Sequence, residues 1–250
     1  MNIKFKFGML FSLLFSCLFC SGIIFAAPDA QTLLKHSDQA RGGGLPGIVW
    51  EIKLTSRDGD KVDEPQRLLV KATDNSSVAD TLEPVRSKGS KILQVERNMW
   101  LTRPGLSKPI PISPRQRMSG QASNGDIAAT NYAGDYDAQM NETQTLDGEV
   151  CYVLDLKAKH KRATYDHIRY WISAKREVGV QAEFYSVSGK LLKTARFEYD
   201  NAIEYEGRRT PFVSKMTIRD ALIDAETTME FGAVKVKKIA ASEFDLGQLQ

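Results

Sequence analysis

Residues 48–54 read Ile48-Val49-Trp50-Glu51-Ile52-Lys53-Leu54, and this stretch decides the fold. Ile48, Trp50, Ile52 and Leu54 alternate with Val49, Glu51 and Lys53. Successive side chains of a strand point to opposite faces, so this spacing puts four large apolar groups on one side and both charges on the other. The same period recurs in 151–158, where Tyr152, Leu154 and Leu156 oppose Asp155 and Lys157. It recurs again in 167–173, where Ile168, Tyr170 and Ile172 oppose His167, Arg169 and Ser173. Further strands are expected over 67–73, 91–96, 99–103, 180–187, 191–199, 212–219 and 227–236. Ser188-Gly189, Asp147-Gly148 and Gly207 supply turns between or before them. About ten short strands make a sheet large enough to curl. No helical pattern alternates with them, which excludes a parallel α/β fold. The fold class is mainly β (α+β).

One helix precedes the sheet. Asp29 can cap it, Ala30, Leu33, Leu34 and Ala40 fall at helical spacing, and Gly42 to Gly44 end it. The glycine triplet has neither the strand before it nor the Lys-Ser/Thr after it that a phosphate-binding loop needs. The rhythm of the strands breaks between Pro104 and Asp137, where Pro, Gly, Ser and Asn dominate. A connection this long inside a compact domain is usually functional or disordered. Met118, Ile127, Tyr132 and Tyr136 give it apolar residues to bury, so a folded flap with a short helix over 126–131 is expected. A flap that opens needs few buried contacts, and on that reading serine at Ile127 and Tyr132 leaves the thermal midpoint nearly unchanged.

The chain's first residues carry a targeting pattern. Lys4 and Lys6 precede an apolar run over 7–25 that ends in Ala26-Ala27-Pro28. This describes a secretory signal peptide, residues 1–27, cleaved after Ala26 or Ala27 on export to the periplasm. The alternative is an uncleaved inner-membrane anchor, since the run approaches the ~20 residues of a spanning helix. A lipobox at Leu14-Phe15-Ser16-Cys17 is weaker, because an apolar stub would follow the lipidated cysteine. Residues 28–250 then form one domain. Its formal charge is +1, the chain's +3 less Lys4 and Lys6. Nucleic-acid binders usually carry a basic footprint, so no nucleic-acid partner is expected. Of three cysteines only Cys151 remains, which leaves no internal disulfide.

Enzyme chemistry has little to work with. His36 lies on the helix, His160 in the basic run 157–162, and His167 on a polar strand face. Within residues 28–250 no HExxH, Cys-x-x-Cys or Gly-x-Ser-x-Gly pattern occurs. Cys151 reads as a small buried hydrophobe, and Asp126, Asp135 and Asp137 as capping and turn residues. Arg115, Arg117 and the run 157–162 read as solvated faces. No catalytic residue, metal or cofactor is expected.

The segment Lys91-Ile-Leu-Gln-Val-Glu-Arg-Asn-Met-Trp-Leu101 followed by Pro104 resembles a signature of the outer-membrane lipoprotein-sorting (LolA-like) family. Ile112–Gly120, Ser123–Asp126, Tyr132–Tyr136, Gly148–Leu156 and Arg169–Ile172 are similar to the family's later segments, and the resemblance runs from about Asp29 onward. It implies a half-open antiparallel β-barrel around a hydrophobic cavity, with helices across the mouth. It also implies carriage of lipid or lipoprotein acyl chains between an inner-membrane transporter and an outer-membrane acceptor. No arginine aligns with the family's gating arginine. An accessory subunit docking on a transporter of the resistance-nodulation-division type is the alternative within the same fold.

The physical logic agrees with a carrier. Each buried CH₂ contributes ~0.8 kcal/mol, so a 16-carbon chain gains roughly 13 kcal/mol from enclosure and cannot cross water without it. The expected cavity lining is Trp50, Ile52, Leu54, Val70, Leu154, Leu156, Tyr170, Ile172, Phe184, Phe197 and Met216. Ile127, Tyr132 and Tyr136 are expected to face it from the flap.

Overall fold

A computed structural model describes residues 28–128 and 131–248. The signal-peptide assignment over 1–27 lies outside the described residues. The chain begins with α1 (Ala30–Gln39), capped as expected by Asp29, whose Oδ2 accepts from Thr32 N at 2.8 Å. Gly42 closes the turn after it with φ +97°, and a Cβ there would lie 2.1 Å from Ile48 Cδ1. Only glycine satisfies both conditions.

The first half of the sheet is β1 (Ile48–Asp58), β2 (Lys61–Val62), β3 (Gln66–Ala72), β4 (Ser76–Glu83), β5 (Lys91–Val95), β6 (Asn98–Thr102) and β7 (Ile110–Ile112). A covering segment follows, with β8 (Arg117–Ser119), β9 (Ala122–Ser123), α2 (Asn124–Ile127) and α3 (Tyr132–Asp135). The second half is β10 (Tyr136–Leu146), β11 (Glu149–Ala158), β12 (His167–Ser173), β13 (Gly179–Tyr185) and β14 (Leu191–Glu198). It continues through β15 (Asn201–Tyr205), β16 (Arg208–Phe212), β17 (Lys215–Asp220), β18 (Ala225–Phe231) and β19 (Lys235–Val236).

The fifteen-stranded sheet runs β10-β11-β12-β13-β14-β17-β18-β1-β3-β4-β5-β6-β7, with β2 and β19 also on β1, and its pairings are antiparallel. β1 sits near the middle, where Ile52 faces Phe231 on one side and Leu68 on the other. Laid flat, β10 and β6 would be roughly 50 Å apart at ~4.8 Å per strand. Yet Arg97, in the turn before β6, bonds Asp135 beside β10 at 3.2 Å. The sheet therefore curls until its two ends meet across the covering segment. β7 and β10 do not pair with each other, so it does not close.

Several expectations are corrected. The helix expected over 126–131 is two short ones, α2 and α3, because Ser123 and Asp126 form a capping box one turn earlier and Asn131 caps a second start. The strand expected over 212–219 divides, since Phe212 ends the β15–β16 hairpin and β17 begins at Lys215. The one expected over 227–236 divides between β18 and β19. The expectation of few buried contacts in the flap is also overturned: Gln121, Ala122, Ser123, Asn124, Asp126, Ile127, Ala128, Tyr132 and Tyr136 are all buried.

Candidate functional site

The apolar face of the curled sheet is covered by α1 and by the segment running from β8 to α3. The structure brings every residue expected to line a cavity into this one interior. Trp50, Ile52, Leu54, Val70, Leu154, Leu156, Tyr170, Ile172, Phe184, Phe197 and Met216 are buried in a single contiguous cluster, and Ile127, Tyr132 and Tyr136 join it from the cover. Aromatic edges connect cover to sheet. Tyr132 meets Tyr136 at 5.5 Å and Tyr170 at 5.6 Å, and Tyr170 meets Phe197 at 6.1 Å. Trp50 sets its ring against Phe212 at 6.0 Å.

The interior is packed in this conformation. The opening beside Tyr132 and Tyr136 measures about 30 Å³, close to one water's share of liquid volume. A larger cleft of about 500 Å³ opens at the edge of this cluster, between Gly43–Pro46 and the β15–β16 hairpin, lined by Gln39, Ile203, Tyr205 and Thr210 among others.

What holds the cover down was not expected from the sequence. Lys193, on β14, is 6% exposed and its ammonium donates to Gln121 O at 2.6 Å, Ser123 Oγ at 3.1 Å and Asp126 Oδ2 at 3.1 Å. Asp126 also accepts from the Tyr165 hydroxyl at 2.8 Å and from Ser123 N at 2.8 Å. Gln121 N donates to Thr227 Oγ1, itself bonded to Ser56 Oγ, which ties the cover to β18 and β1. Gly120 makes this approach possible, since a Cβ there would lie 2.3 Å from both hydroxyl oxygens. Outside, Arg115 grips Asp166 with two bonds of 2.7 and 2.9 Å. Lys193 sits in a strand between Leu192 and Thr194, and its partners are distant in sequence, so no local pattern signals it.

A second unexpected group lies under α1. Asp38 is 5% exposed, and its Oδ2 accepts from Ala133 N at 2.8 Å. Burial pushes its carboxyl up to about 7, against the pull of the Ala133 and Tyr132 amides and the Arg41 charge. A carboxyl raised on folding favours the neutral form, so its contribution to stability is full below pH ~4 and is lost as pH climbs toward 7. Asp38→Asn keeps an acceptor and removes the charge. It is expected to match the parent at pH 4 and to exceed it by up to about 4 kcal/mol at pH 8. Urea midpoints at the two pH values check this; an equal offset at both would show that Asp38 does not titrate on folding.

The residues considered for chemistry are accounted for structurally. His36 pairs with Glu177 at 2.9 Å, His160 with Asp135 at 2.9 Å and His167 with Asp155 at 3.3 Å. Cys151 is fully buried with Val153, Trp171 and Val178, and burial raises its thiol above the ordinary range. Among the described residues, no group of three or more His, Cys, Asp or Glu could hold a metal ion. No helix among them is long and apolar enough to cross a membrane.

Comparison with known proteins follows the same lines. A family model described as "Uncharacterized protein" matches residues 73–250. No curated protein matches. Among solved structures, a LolA superfamily protein from Nitrosomonas europaea is 30% identical with a TM-score of 0.78, over 88% of this chain and 98% of that one. A DUF1329 family protein from Desulfovibrio piger matches at 20% identity and TM-score 0.75, over 88% and 97% of the two chains. A putative outer membrane lipoprotein-sorting protein domain from Vibrio parahaemolyticus matches at 16% and 0.75, over the same shares. These last two show the fold alone. With the first relative's identity carried over nearly its whole length, the chain belongs to the LolA superfamily.

Proposed function

We propose that residues 28–250 form a periplasmic carrier that encloses lipoprotein acyl chains or lipid on the way to the outer membrane. The observation that carries this reading is the cover over the apolar face of the sheet. That face is closed by α1 and by a segment tied down through a few polar contacts, among them the buried Lys193–Asp126 pair and the Gln121–Thr227 bond. Releasing that segment would expose a continuous apolar trough, the half-open barrel of the family resemblance. Binding sites concentrate where a rigid scaffold carries such a loop. The donor and acceptor in this reading are an inner-membrane transporter and an outer-membrane protein, and the chain is non-catalytic.

Mass spectrometry of lipid extracted from natively purified protein tests it. An acyl lipid in near-stoichiometric amount is the expected result. Its absence, together with no uptake of a fluorescent fatty acid, sinks the carrier. One observation favours the alternative, an accessory subunit docking on an envelope transporter. Tyr136, Tyr170, Phe184 and Phe212 are among the largest fully buried side chains, and they fill the interior where cargo would lie. In that case the protein co-purifies with a transporter and carries no lipid.

A further inference from the structure

Among the described residues, one interior cation has no ion-pair partner. Arg41 follows α1 and is 8% exposed. Its guanidinium carbon lies 5.8 Å from the Tyr132 ring and 5.6 Å from the Phe197 ring, both of the interior cluster. Its Nη1 is buried and makes no hydrogen bond, and among the described residues Arg41 forms no ion pair. Arginine stays protonated in proteins, so the charge cannot be shed. Of the two nearby carboxylates, Asp38 feels the Arg41 charge but forms no ion pair with it and accepts from Ala133 N, and Asp126 is paired with Lys193. The carbonyls of the last helical turn, Ser37 O and Asp38 O, serve the backbone N–H groups of Ala40, Arg41 and Gly43. Attraction to two ring faces offsets only part of the cost of taking a guanidinium out of water.

A second donor in the cluster is in the same condition. Trp50 Nε1 is buried without a hydrogen-bond partner, on the strand that leads the apolar face. Buried donors without acceptors are uncommon and call for a cause. Both belong to the interior that the cover closes, and Tyr132 of the cover lies directly against the guanidinium.

We propose that Arg41 is the head-group site of the carrier, binding the oxyanion of an acyl amphiphile when Tyr132 swings away. This rests on the carrier reading and narrows its cargo. The ligand class is an acyl chain ending in a carboxylate or a phosphate, not a chain ending in a neutral ester alone. The oxyanion accepts from Nη1 and cancels the charge.

The test is competition for a neutral fluorescent probe in the purified protein, using palmitate, palmitoyl lysophosphatidate and palmityl alcohol. One charge-assisted bond predicts that at least one anion binds about tenfold or more tightly than the alcohol. Which anion is preferred identifies the source of the oxyanion. Arg41→Met should abolish the preference of anion over alcohol, and Arg41→Lys should retain part of it. If a water molecule satisfies Arg41 instead, the three ligands bind alike in the parent protein, and the proposal falls while the carrier stands. A preference that survives in Arg41→Met overturns it equally. If none of the three displaces the probe, the carrier reading fails and the head-group site with it. The parent's preference needs no variant, so a poorly folded Arg41→Met still leaves a decisive measurement.

Discussion

Lys193→Met is expected to destabilise the protein by about 3–5 kcal/mol, the usual cost of leaving a buried charge without its partner. The side chains of the pair are 8% and 2% exposed, so solvent does not screen the loss. Methionine fills much the same space as the lysine stem but supplies none of its three donors. Gln121 O and Ser123 Oγ lose a bond, and the Asp126 carboxylate keeps only the Tyr165 hydroxyl and Ser123 N. For a chain of this length the loss lowers the thermal midpoint by on the order of 10 °C. Adding Asp126→Asn should recover a large part, because the double variant buries no unpaired charge. Urea unfolding of both singles and the double closes the cycle. Additive effects would mean that the two side chains are not coupled and that the cover is held by packing alone.

This pair also marks the boundary between what local sequence reveals and what it hides. The alternation of Ile48, Trp50, Ile52 and Leu54 is legible because β1 lies mid-sheet with one face on the core, and its burial repeats the pattern residue by residue. β10 escaped notice because Asp137, Gln139, Asn141, Glu142 and Thr143 make an edge strand with little apolar rhythm, exposed over most of its length. β4 escaped for a related reason, its Ser76-Ser-Val-Ala-Asp-Thr-Leu-Glu83 offering small and polar groups where a pattern would show. The apolar lining was readable one strand at a time. Arg41, Asp38 and Lys193 were not, since a charge inside a core is defined by partners tens of residues away. Asp126 was noticed for its capping role, which is real, but its ion pair lies 67 positions further along the chain.

The double variant Ile127→Ser, Tyr132→Ser is expected to lose about 5 kcal/mol or more of stability, which reverses the small effect anticipated from the sequence. Ile127 is 1% exposed and belongs to the main cluster. Removing such a side chain costs about 2–5 kcal/mol even when alanine replaces it, and serine adds a hydroxyl that must find a partner. Tyr132 bridges Tyr136, Tyr170 and Arg41, and its loss leaves the guanidinium with one ring face in place of two. A cover this well packed can still open if it opens as a unit, because local unfolding needs less free energy than global unfolding. Hydrogen exchange separates the two quantities. In the parent protein, amides of 121–128 and 131–136 should exchange before those of β1 and β18. In the double variant the cover should exchange faster by on the order of a hundredfold or more, at ~1.4 kcal/mol per tenfold, while the β1 amides follow only the global loss. Uniform acceleration everywhere would make the cover part of one cooperative core, and a carrier would then have no door.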